Sequence, residues 1–153
     1  MKPSTVDVVV SANGEVVLRF ADNIEKVQRV PKVKDDEEKP EPYDVYVFDL
    51  YELRTQNRPN LQADILANPM PWLTLAKNKD YEDTCAKNRA LRNKLLNESD
   101  KDVKTDRLVE KYGIDVLSKI DSIPICQYRQ ELRDITNQKE WPYNVVWPVK
   151  PQI

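Results

Sequence analysis

The chain of 153 residues contains no histidine, only two glycines and only two cysteines. Without an imidazole there is no histidine general base, no Ser-His-Asp or Cys-His arrangement, and the usual transition-metal ligand is missing. Cys85 and Cys126 stand far apart without metal-ligand spacing, so no zinc site is expected. Gly14 and Gly113 alone cannot supply a phosphate-cradling loop or a dinucleotide fingerprint, and no cofactor is expected. No apolar run approaches the roughly 20 residues that cross a bilayer, and Met1-Lys2-Pro3-Ser4-Thr5 lacks the apolar core of a secretion signal. An excess of charge of one sign is also lacking. With 24 basic and 26 acidic residues the net charge is -2, and no basic run gathers locally, so nucleic acid is a poor partner. What remains is a charge-rich chain of mean hydropathy -0.70, expected to be soluble and long enough for one respectable core or two small ones.

The N-terminal part reads as β structure. Val6, Val8 and Val10 alternate on one side of a strand and Val16, Leu18 and Phe20 on one side of the next. The Asn13-Gly14 pair between them is a strong hairpin signal, and pairing the two runs turns all six side chains toward a common core. A lone hairpin is marginal, so more sheet is needed, and Tyr43 to Leu53 supplies a third strand with apolar residues on both faces. Between them, residues 31–42 form a charged, proline-bounded stretch expected to be a solvated loop, its four consecutive acids lacking the spacing of a calcium loop. The expected organisation is a β-rich domain over 1–56, a proline-containing connector over 57–79 and a helical module over 80–153. The fold class is α+β: a small N-terminal antiparallel β region, then a helical hairpin or three-helix module with an extended Trp/Pro tail.

In the connector, one helical turn is expected around Leu61, Ile65 and Leu66, and the prolines, Pro69 and Pro71 among them, are expected to prevent anything long. From Asp80, read as an N-cap, Tyr81, Cys85, Leu91, Leu95 and Leu96 recur at helical spacing. Thr105 to Tyr112 reads as a second short helix stopped by Gly113, with Ile114 to Ile120 continuing it through Val116 and Leu117. Ser122 is placed to cap a third helix with Pro124 in its first turn and Ile125, Tyr128, Leu132 and Ile135 as its buried stripe.

That helix, Tyr128-Arg129-Gln130-Glu131-Leu132-Arg133-Asp134-Ile135, runs into Trp141-Pro142-Tyr143-Asn144-Val145-Val146-Trp147-Pro148-Val149-Lys150-Pro151. Prolines at 142, 148 and 151 forbid helix and favour extended geometry, punctuated by two large rings. The combination resembles the C-terminal signature of the phage tail assembly chaperone family, the tail fibre assembly proteins, in which a YRQ-x-LRD-I helix precedes a P-x-N-V-x-W-P-x-x-P tail. Upstream, Arg92 to Asp100, with Leu95-Leu96 and Ser99-Asp100, is similar to that family's R-x-x-LL-x-x-SD helix end. The chain departs from the pattern at Lys101, where the family has an aromatic, and at Glu140-Trp141, where it has Gly-Phe.

The resemblance implies a non-enzymatic assembly factor that binds a phage tail fibre or receptor-binding protein and assists its folding, oligomerisation or attachment. It would work in the host cytoplasm, with possible self-association. The alternative is a minor tail, baseplate or fibre-associated protein kept in the virion. A carboxylate-dependent glycosidase would need two acids in a cleft, and pairs such as Glu82-Asp83 are expected from a composition of 33% charged residues. Candidate partner-binding residues are Tyr128, Arg129, Arg133, Trp141, Asn144, Trp147 and Pro148. Arg129 and Arg133 read either as structural ties to Glu98 or Asp100 or as contacts for an acidic partner. Trp141 and Trp147 read either as core plugs or as interface anchors.

Overall fold

A computed structural model of the chain describes residues 5–10, 13–30 and 41–152, without the side chains of Thr5, Ile114 and Leu117. The charged loop expected over 31–42 thus lies almost entirely outside the described residues, as does the side chain of Leu117. The order is β1 (Thr5–Val10), β2 (Glu15–Arg29), β3 (Tyr43–Gln56), α1 (Leu61–Ala67), α2 (Met70–Ser99), α3 (Thr105–Tyr112) and α4 (Pro124–Asp134). Short 3-10 segments cover 100–103, 114–122 and 135–137. The α+β class expected from the sequence is what is found.

The strands form one antiparallel sheet in the order β1-β2-β3. Val6 pairs with Phe20, Val8 with Leu18 and Val10 with Val16, the register that alternation demands. The hairpin connection is longer than a two-residue turn, because Val10 faces Val16; Gly14 in it takes a φ of +79°, open to glycine at no steric cost. Val16, Leu18 and Phe20 are buried, Val6 and Val8 partly so, but Val10 at the strand end is exposed and does not join the core. β2 also continues well past Phe20, through a bulge between Asp22 and Glu25 where Asn23 adopts a φ of 50°.

The connector departs most from expectation. It holds α1, where the helical turn around Leu61, Ile65 and Leu66 was expected, but also the start of α2, a helix of 30 residues that begins before Pro71. Pro71 sits in the first turn, where its missing N–H has no intrahelical partner to lose, and the Pro69 carbonyl accepts the first helical bond from Leu73 N–H at 3.0 Å. The prolines therefore start the helix. The chain divides into two compact units, Met1–Asp80 and Tyr81–Ile153, and α2 runs through the division.

In the first unit Leu61 and Ile65 of α1 and Leu73 and Ala76 of α2 close over the buried face of β2, with Tyr51, Leu53 and Trp72 at the margin. Lys77 pairs with Asp22, and its ammonium lies 5.3 Å from the Tyr51 ring centre. In the second unit Leu108, Val116, Ile123, Ile125, Tyr128 and Leu132 form a separate core, flanked by Leu95, Leu96, Val103, Val109, Cys126 and Trp147.

Candidate functional site

The site grows from the end of α2. The last carbonyls of a helix have no intrahelical donor, and here α4 supplies one. Arg129 donates to the Leu96 carbonyl and to Ser99 Oγ, both at 2.6 Å, and its second terminal nitrogen lies 2.7 Å from Asp100 Oδ1. Ser99, fully buried, in turn donates to Leu96 O at 2.9 Å. The Ser-Asp at the end of one helix and the Arg of the other are therefore two halves of one joint. The planar guanidinium fork can serve three oxygens at once, which an ammonium on a flexible stem does not match. Of the two arginines read as possible ties, Arg129 is one; Arg133 is exposed and reaches only Gln130, at 3.5 Å.

The helix faces differ in detail from the spacing argument. On α2, Tyr81 and Leu91 are exposed, and the inward positions are Cys85, Asn88, Arg92, Leu95, Leu96 and Ser99. α3 is capped at its C-terminus by Gly113, whose N–H bonds Val109 O at 2.9 Å, and the continuation over 114–122 is 3-10 rather than α. Ser122 does not cap α4: its hydroxyl turns back to Lys119 O at 2.7 Å, and Ile123 is the N-cap residue, with Pro124 in the first turn. The stripe Ile125, Tyr128, Leu132 and Ile135 is buried as its period requires.

After α4 the chain turns and is held to the module at successive points. Asn88 donates to Pro142 O at 2.7 Å. The Gln138 side-chain amide donates to Val146 O at 2.7 Å and accepts from Val146 N–H at 2.8 Å, so it pairs with the tail backbone as a neighbouring strand would. Trp147 packs on the module core. Lys150 Nζ lies 2.7 Å from Oδ2 of buried Asp102. That ammonium, foremost by its direct bond, holds the Asp102 carboxyl below the usual carboxylate range against the opposing effect of burial.

The candidate residues thus fall in different places. Tyr128 is 4% exposed and inside the core, so its side chain offers no surface. Arg129 is committed to the joint, Trp141, Trp147 and Pro148 are half-buried, and Arg133 and Asn144 are exposed. The tail's own outward side chains were not anticipated: Val146 is 76% exposed and Val149 89%. Their three-residue spacing among prolines, the period of polyproline geometry, was the available signal. Asn88, Asp102 and Lys150 were missed as well, because partners so far apart in sequence leave no spacing to detect, and Gln138 was missed because its partner is a backbone group, which carries no sequence signal.

Arg129, Gln130, Arg133 and Asp134 of α4 also edge a wide open groove of about 830 Å³ that reaches Val103, Ile120 and Cys126. Burial pushes the Cys126 thiol up, opposed by Arg129 and Arg133 nearby, so this cysteine is not an activated nucleophile. No helix among the described residues is long and apolar enough to cross a membrane.

These features define an α+β protein whose C-terminal helical unit holds its own tail and turns Val146 and Val149 outward. The model of the phage tail assembly chaperone protein family matches residues 85–152, which bracket the joint, the stripe and the clamped tail. The C-terminal part of the chain is therefore similar to that family over residues 85–152, as the motifs around Arg129 and Trp147 suggested, and this supports a role in phage tail assembly. No curated protein and no solved structure matches the chain.

Proposed function

We propose that the chain binds a tail fibre or another receptor-binding tail protein and assists its folding, oligomerisation or attachment, without catalysing a reaction. One observation supports this reading most: the tail is held at Pro142, Val146, Trp147 and Lys150 while Val146 and Val149 face solvent at 76% and 89% exposure. A segment whose inward residues are already engaged presents its outward ones in a fixed geometry, so little freedom is lost when a client docks. Two bare valines on a tail already held in place are left exposed by the module's own packing, and contact with a client's apolar surface would cover them.

The test is co-expression with the products of neighbouring tail genes, followed by capture on the tagged chain. Val146→Asp with Val149→Asp is expected to weaken capture of a fibre protein by at least about 30-fold, the scale of losing a central interface anchor, while the melting temperature stays unchanged. Capture that survives both changes removes the tail from the binding surface. Mass spectrometry of purified particles then separates a transient assembly factor, which is absent, from a tail or baseplate component, which is recovered stoichiometrically.

A further inference from the structure

Edge strands of ordinary sheets are short, or carry lysine, proline or inward charges that stop them from pairing with another chain. Over its 14 residues β3 has little of this defence: it contains no lysine and no proline, its one charge on the face of Tyr51 and Leu53 is Asp49, and its single strand neighbour among the described residues is β2. It also exposes Tyr43, Tyr46, Val47, Phe48 and Leu50, each more than two-fifths accessible. The positions that share a face with Arg19, Ala21 and Lys26 are Tyr46, Phe48, Leu50 and Glu52, so the apolar trio is bounded by the ion pairs Lys26–Asp44 at one end and Arg19–Glu52 at the other. An apolar centre inside a charged rim is the anatomy of an interface.

We propose that β3 pairs antiparallel with β3 of a second copy of this chain, about a two-fold axis through Asp49, joining two three-stranded sheets into one of six strands. The charge pattern selects both the occupant and the register. With Asp49 opposite its own copy, Asp44 faces the partner's Arg54 at each end, Phe48 faces Leu50 on the outer face, and Val47 faces Tyr51 and Val45 faces Leu53 on the inner face. Sliding by two residues toward the start of the strand pairs Tyr46 with Leu50 but sets Asp44 against Glu52 at both ends, and sliding the other way sets Phe48 against Glu52, so charge matches best in the first register. That register keeps two mismatches, Tyr46 against Glu52 and Asp49 against its own copy, the second a like-charge contact. That contact is softened because Asn23 donates to Asp49 at 2.8 Å and Lys77 lies in the same acidic cluster.

The experiment is sedimentation velocity on the full chain across a concentration series. A dimer is expected, and a chain that stays monomeric at about 100 µM, far above the working range of a specific dimer, overturns the proposal. Asp44→Arg and Arg54→Asp each place two like-charge contacts across the two-fold and are expected to weaken dimerisation at least about tenfold. The double exchange restores opposite charges at both ends and is expected to recover the dimer; failure to recover overturns the register. Asp49→Asn removes the like-charge contact and is expected to tighten the dimer, a direction that a merely structural residue does not give. Should a variant fail to fold, hydrogen exchange on the unaltered chain decides. Protection of β3 amides that rises with concentration supports pairing between copies, and protection that appears only with a client protein overturns it.

Discussion

A single arginine does in this module what several ordinary caps would do. Arg129 satisfies the Leu96 carbonyl and the Ser99 hydroxyl and pairs with Asp100, so the end of α2 needs no glycine to terminate it. Asp102 is the second residue with an outsized role, because a buried carboxylate is tolerated only while its countercharge stays in place. Lys150 is that countercharge, and it is the last anchor of the tail. The carboxyl is held below its ordinary value, so the stabilisation it brings is present above the unfolded carboxylate pKa and is lost as pH falls through the lower folded value. Tail docking, followed by Trp147 fluorescence, is therefore expected to persist through mildly acidic pH and to fail only in strong acid. Asp102→Asn removes that acid transition and loosens the tail at neutral pH; an unchanged acid transition in this variant assigns the titration to another carboxylate.

At the scale of elements, what was legible in the sequence is what repeats. Val6, Val8, Val16, Leu18 and Phe20 announce two strands and their register by period two, and Ile125, Tyr128, Leu132 and Ile135 announce α4 by its longer period. The start of α2 was not legible, since Pro69 and Pro71 signal a break unless one knows that the helix begins there. The extension of β2 to Arg29 was hidden by its charges, which a strand with little cover on either face carries without cost. Half of the site was unreadable for a different reason: Asn88 with Pro142, Gln138 with Val146 and Asp102 with Lys150 meet only after the tail has folded back. The same fold-back decides the alternative left open for Trp147. Packed against the core that Leu108, Val116, Ile123, Ile125, Tyr128 and Leu132 form, it belongs to the module, and Trp147→Ala is expected to lower stability by about 3 kcal/mol. A melting temperature that does not move would return this ring to the binding surface.

At the scale of the whole molecule, two cores share no residue: one draws on positions 6 to 76 and the other on positions 95 to 147. Cooperative units follow shared cores, so each half is expected to fold on its own even though α2 runs through both. The match to the tail assembly chaperone family covers residues 85–152, within the second of these halves. A fragment of residues 80–153 is expected to be strongly helical by circular dichroism and to melt in one step. Leu132, fully buried at the centre of its core, sets the scale of that transition: Leu132→Ala removes about 2–5 kcal/mol, a large share of the stability of a unit this small. If the fragment shows little helix while the full chain folds, the module depends on the sheet-bearing half, and the two cores are one cooperative structure despite having no residue in common.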